Sequence, residues 1–219
     1  MPRRCNDALV THTRYAGLGV AVLCAFALAG CGRSSLDLHK VNWRDVTIPG
    51  AFCGVPGRLH LQGGSWAGRI EPNRGIAYGD LWLVAVEITG NPVVYGDLGS
   101  AGQGSAAALE VDCNNGGGTA DGVLAYAQVI FTAAGTSLRV IGVVTPKEQP
   151  KRQLPTFLTV TIRRGEVIAH EDFYGGSDGT CCPSGRATTI WRYANGHLQS
   201  GRPVITRHPT LLSGAAGAG

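Results

Sequence analysis

Apolar and polar residues alternate with a period of two along most of the second half of this chain, punctuated by turn residues. Val123–Thr132 (VLAYAQVIFT), Ala133-Ala134-Gly135 and Ser137–Thr145 (SLRVIGVVT) read as one hairpin. Phe157–Ile162 (FLTVTI), Arg163-Arg164-Gly165 and Glu166–Phe173 read as a second. Ala187–Tyr193 (ATTIWRY) passes through Asn195-Gly196, a dipeptide suited to a type I′ turn, into His197-Leu198. Side chains two apart on a strand share a face, whereas a helix needs apolar repeats every 3.6 residues. No segment keeps the helical spacing over three turns. Earlier strands are expected at Val41–Ile48, Leu81–Ile88, Val93–Tyr95 and Ala107–Asp112, and a short helix only within 66–75. The expected fold is mainly β, a single domain of antiparallel strands and hairpins with few short helices.

The first thirty residues read as an address. Arg3, Arg4 and Arg14 precede an apolar run, GLGVAVLCAFALAG, from Gly17 to Gly30. As a helix, such a run rises about 21 Å, short of a hydrocarbon core about 30 Å thick. That length suits the apolar region of a signal peptide rather than a membrane span. It ends Leu28-Ala29-Gly30-Cys31, which resembles the lipobox of bacterial lipoprotein precursors. Residues 1–30 are therefore expected to be a lipoprotein signal peptide, and 31–40 a lipidated Cys31 with its tether. Residues 41–208 would form the β-rich domain and 209–219 a flexible tail. The expected location is the cell membrane, lipid-anchored, on its extracytoplasmic face.

Export changes the cysteine arithmetic. Of seven cysteines, Cys5 and Cys24 leave with the signal peptide and Cys31 takes lipid, leaving Cys53, Cys113, Cys181 and Cys182. An even number in an exported chain favours two disulfides. Adjacent residues have Cα atoms about 3.8 Å apart, below the usual disulfide range. The favoured pairing therefore joins one of Cys181 and Cys182 to Cys113 and the other to Cys53. The alternative is Cys181–Cys182 with Cys53–Cys113. At 219 residues and 44% hydrophobic, with mean hydropathy +0.06, the chain has ample core and is not intrinsically disordered. Removing residues 1–30 takes away three Arg and one Asp, so the net charge falls from +4 to +2. That balance excludes a strongly basic nucleic-acid binder.

Little in the sequence points to catalysis. Asn114-Asn115-Gly116-Gly117-Gly118-Thr119 lacks the Lys-Ser/Thr and following helix of a phosphate loop and reads as a long hairpin loop. Around Asp97, Ala101 and Ser105 stand where a calcium loop needs carboxylates, so a turn without metal is expected. Gly63-Gly64-Ser65-Trp66-Ala67 breaks the nucleophile-elbow pattern at its last position. His60, His170, His197 and His208 show no metal-ligand spacing. Glu171 and Asp172 are adjacent on a strand, hence on opposite faces, which leaves one exposed and one hydrogen-bonded. No metal or cofactor is expected.

Several motifs together carry a likeness: Trp43, Ile48-Pro49, Cys53-Gly54, Val94-Tyr95-Gly96-Asp97-Leu98, Asp112–Thr119 and Asp178–Thr189. The set resembles the LppP/LprE family of actinobacterial lipoproteins and its streptomycete relatives over most of residues 43–200. The resemblance implies an envelope lipoprotein of unassigned activity. The expected function is a binding or interaction module without catalysis, held to the membrane by its lipid. Its expected partner is an envelope protein or a cell-wall ligand, not nucleic acid. Asn114, Asn115, Thr119, Asp178 and Arg186 are the candidate binding groups, on two loops that a disulfide would pin together. The alternative is an envelope hydrolase acting on cell-wall glycan or peptide through Asp178, Glu171 or Asp172.

Overall fold

A computed structural model describes residues 35–69, 83–99, 104–115, 122–148, 156–179 and 181–208. The signal-peptide, lipobox and tail expectations, and Thr119, lie outside these residues. Short 3-10 turns at Leu38–Lys40 and Trp43–Asp45 lead into β1 (Thr47–Pro49), and a third, Ala51–Cys53, into β2 (Arg58–His60). There follow β3 (Ser65–Arg69), β4 (Leu83–Ile88), β5 (Val94–Asp97), β6 (Ser105–Asn114), β7 (Val123–Ala134) and β8 (Ser137–Val144). The last five are β9 (Phe157–Arg163), β10 (Glu166–Phe173), β11 (Gly185–Ala194), β12 (His197–Ser200) and β13 (Val204–Arg207). Among the described residues every strand pairing is antiparallel. The chain is mainly β.

Two of the sequence expectations are corrected here. Val41–Ile48 is strand only from Thr47: Trp43–Asp45 form a 3-10 turn capped by Asn42, which accepts from the Arg44 amide, as Asp37 caps the turn before it by accepting from the His39 amide. Those side chains offer the backbone a local alternative to a ladder. The described part of 66–75 is strand rather than helix: Trp66 stands opposite Val86, and Ser65 opposite Glu87. Gly63 and Gly64, both at positive φ, turn the chain into β3.

The strands form three layers. β3-β4-β6-β7-β8, with β5 also on β6, make the central sheet; β12-β11-β10-β9, with β13 on β11, make the second. Between them lie Ala106, Ala108, Ile130, Ile141 and Val144 from one side and Leu158, Val160, Ile162, Val167, Ala169, Trp191 and Leu198 from the other. The opposite face of the central sheet carries Leu109, Val111, Cys113, Ala127, Val129 and Phe131, covered by Val46, Ile48, Cys53, Val55, Leu59 and Leu61. β6 and β7 are therefore buried on both faces, which is why Ala106–Leu109 and Val129–Phe131 are continuous apolar runs. The two large sheets approach closely at β5 on β9 and at β8 on β12. A Cβ on Gly96 would fall 2.5 Å from Ile162 Cβ, and one on Gly142 2.8 Å from Leu198 Cβ. Glycine is required at both places.

The cysteines pair as Cys53–Cys113 and Cys181–Cys182, not in the favoured cross-linked arrangement. The layers explain it. Cys113 points from β6 into the covered face, where Cys53 ends the third 3-10 turn, and both are fully buried. Cys181 and Cys182 lie exposed on the loop between β10 and β11, in the other large sheet.

Candidate ligand groove

The expected binding residues are mostly occupied in holding backbone. Asn114 is buried and donates to Asp112 Oδ1 at 3.2 Å. Asn115 closes the neck of the β6–β7 hairpin: its amide donates to the Gly122 carbonyl, and its Oδ1 accepts from the Gly122 amide at 3.0 Å. Arg186 pairs with Asp172 at 2.8 Å on the surface. Asp178 gathers the β10–β11 loop, accepting from Gly175 N at 2.6 Å, Ser184 N at 2.8 Å and Ser184 Oγ at 2.7 Å. The Gly175 amide first, then the two Ser184 donors, hold its carboxyl below the ordinary range, and Arg207 adds to this. Asn114 and Asn115 sit on the central sheet, Asp178 and Arg186 on the other, and no disulfide joins their loops.

The hydrolase residues are likewise engaged. Glu171 is 1% exposed and accepts from the Lys147 amide at 2.7 Å, the Glu148 amide at 2.8 Å and Thr189 Oγ1 at 2.8 Å. Asp172 points outward to Arg186, so the two neighbours divide between interior and surface as the strand period requires. His60, His170, His197 and His208 are all exposed. Asp97 Oδ1 accepts from the Gly99 amide at 2.6 Å, closing the turn after β5.

A different set of residues converges where the sandwich runs out of apolar side chains. Along the inter-sheet face of β6, Ala106 and Ala108 are followed at the same period by Glu110 and Asp112. Their partners on β7 are Gln128 and Tyr126. Carboxylates cannot close an apolar core, and the sheets leave a groove of about 330 Å³ there. Thr89, Gly90, Asn91, Glu110, Asp112, Tyr126, Phe157, Leu158 and Thr159 line it. Glu110 is fixed by Asn91 Nδ2 on Oε1 and Gln128 Nε2 on Oε2, each at 2.7 Å. Gln128 Nε2 also reaches the Leu158 carbonyl at 3.2 Å, tying the groove floor to β9.

The rings of Tyr126 and Phe157 line the other wall, and Tyr174 neighbours Phe157 without lining it. Tyr126 and Phe157 have ring centroids 5.6 Å apart, and Phe157 and Tyr174 6.3 Å apart. Phe157 remains 41% exposed although it is apolar. Burial, then Asp112 and Glu110, push the Tyr126 phenol up, and burial with Asp178 does the same for Tyr174. Burial is the larger cause in both, and the neighbouring carboxylates act in the same direction. The described lining contains two carboxylates and no Lys or Arg. Aromatic faces beside carboxylates attract an organic cation, since ring quadrupole and anion act in the same direction. Two larger hollows, of about 500 and 460 Å³, lack this convergence: one lies beside Asp45 and Arg58, the other beside His60 and Trp66.

The sequence reading missed the groove. Glu110 and Asp112 two apart on a predicted strand, following Ala106 and Ala108 on the same face, was the signal available for it. Comparison with protein-family models, with curated proteins and with solved structures finds no match for this chain.

Proposed function

We propose that this protein is a lipid-anchored extracytoplasmic binding module of the cell envelope, and that the Tyr126–Phe157 groove holds the ammonium group of its ligand. The address rests on the Arg-flanked apolar run ending at Leu28-Ala29-Gly30-Cys31, and on the resemblance to LppP/LprE-type lipoproteins. The observation that carries the binding role is the meeting of two aromatic rings with Glu110 and Asp112 in one groove. Its carboxylates are held by Asn91, Gln128 and Asn114, so the site is preorganised and little ordering opposes binding. A cell-wall or envelope component bearing a free amine or quaternary ammonium has the matching chemistry. The hydrolase reading loses support, because Glu171, Asp172 and Asp178 are each engaged in structural contacts.

Calorimetric titration with choline, and with its neutral carbon isostere 3,3-dimethylbutan-1-ol, tests the groove. Choline is expected to bind saturably and the isostere at least about tenfold more weakly, a difference of about 1.4 kcal/mol. Equal binding of the two, or none, removes the cation reading. For the anchor, Cys31→Ser is expected to release the protein from membranes, because its acyl chains supply the attachment. If that variant is processed and sediments with membranes as before, the lipobox reading fails.

A further inference from the structure

The Cys181–Cys182 bond has no evident work in stability. Cross-linking stabilises a fold by restricting the unfolded chain, and the effect grows with the logarithm of the loop enclosed. Adjacent residues enclose no loop, so this bond removes almost no freedom that the peptide link has not already removed. Both residues are exposed, whereas Cys53 and Cys113 are each 0% exposed. A thiolate approaching from solvent can reach one bridge and not the other.

The loop around the pair is held by other means. Asp178 accepts from Gly175 and Ser184, the Asp178 amide donates to the Gly175 carbonyl, and the Cys182 amide donates to the Gly179 carbonyl at 3.1 Å. None of these contacts involves a sulfur atom. Opening the bridge therefore leaves the chain path intact and the two thiols side by side, ready to close again. Reduction and re-formation are both compatible with the folded state.

We propose that Cys181–Cys182 is a redox-active pair that exchanges electrons with dithiol substrates in other exported proteins. A substrate thiolate attacks one sulfur of the pair; the S–S bond breaks, and the other sulfur leaves as a thiolate and takes a proton. The second substrate thiol loses its proton and attacks the mixed disulfide, releasing the remaining cysteine thiolate, which is protonated in turn. Two electrons and two protons pass from the substrate dithiol, which becomes a disulfide, to the pair, which becomes two thiols. A protein disulfide running the same steps backwards restores it. This activity is independent of the groove and of the cation it is proposed to hold.

The test equilibrates the folded full chain with dithiothreitol at graded ratios of reduced to oxidised reagent. Alkylation and peptide mass spectrometry then read each cysteine pair. Cys181 and Cys182 are expected to become alkylated together at a ratio about a hundredfold lower than Cys53 and Cys113 need, and to re-form when oxidised reagent is restored. The Cys181→Ser variant is expected to attack a substrate disulfide through the Cys182 thiolate and to hold one substrate sulfur as a mixed disulfide, for as long as the substrate thiol released in that step is kept alkylated. Asp178→Ala, which loosens the loop, is expected to slow re-formation more than reduction. Reduction of both pairs at the same ratio, or a Cys181–Cys182 pair that is the harder to open, overturns the proposal.

Discussion

Strand β6 carries two faces that end in opposite ways. On one, Leu109, Val111 and Cys113 meet the N-terminal layer, and the Cys53–Cys113 bridge seals the contact where the strand finishes. On the other, Ala106 and Ala108 pack between the sheets, and then Glu110 and Asp112 replace the apolar side chains and the layers part. One strand therefore supplies a closed core and an open groove through side chains one residue apart. The bridges divide the same way: Cys53–Cys113 is buried in the sealed side, and Cys181–Cys182 is exposed on the loop that Tyr174 opens. Stability is concentrated on the sealed side, and the proposed binding and thiol chemistry on the open one.

The largest effect expected from breaking this division is on the sealed face. Cys53→Ala combined with Cys113→Ala frees a loop closed over a sequence separation of 60. The chain-entropy relation puts the loss at about 4 kcal/mol, readable as a fall in denaturant midpoint. Next comes Glu171→Ala. It strands the Lys147 and Glu148 amides and Thr189 Oγ1 in a site 1% exposed, and should lower unfolding free energy by about 3 kcal/mol. A Glu171 loss within experimental error would mean that water replaces the carboxylate, and the closed side would be less sealed than described.

On the open side the effects on stability shrink. Gly175 and Ser184 hold the Asp178 carboxyl below the ordinary aspartate value of about 3.9. A folded pKa below the unfolded one stabilises the loop at every pH above the unfolded value, and the contribution disappears as pH falls through the folded value. The Gly175 and Ser184 amide resonances should therefore stay fixed on acidification to about pH 4 and move only below it. In Asp178→Asn that acid-range movement should vanish. The smallest effect belongs to Cys181→Ser with Cys182→Ser, expected to change unfolding free energy by no more than about 0.5 kcal/mol. A loss there comparable to that of the Cys53–Cys113 double variant would erase the contrast between the bridges.

Most strands were legible because they show alternation, or an apolar run, bounded by turn residues. β7–β8, β9–β10 and β11–β12 lie where the period-2 runs place them. β2, β3 and β13 were not read, being short segments whose character comes from their partners: Arg58–His60 pairs with β1, and Val204 and Ile205 are exposed on an edge. Disulfide pairing was illegible for a related reason. It depends on which layer each cysteine enters, and local spacing carries no information about layers. The groove was half visible: Glu110 and Asp112 share a face by parity, but Phe157 and Asn91 join them only through sheet packing. Asn114 and Asp178 drew attention as polar residues in Gly-rich loops, and there their side chains serve the loop backbone and its neighbours.

The most direct measurement follows the ring-proton chemical shifts of Tyr126 and Phe157 during a choline titration, in the wild-type protein and in Glu110→Gln. Thermal melts of both proteins are recorded alongside. Saturable shifts confined to residues lining the groove are expected in the wild type, with much weaker binding in Glu110→Gln and an unfolding free energy lowered by only about 1 kcal/mol. Shifts scattered over the surface, or unchanged by Glu110→Gln while the protein stays folded, would contradict the assignment of binding to the open face.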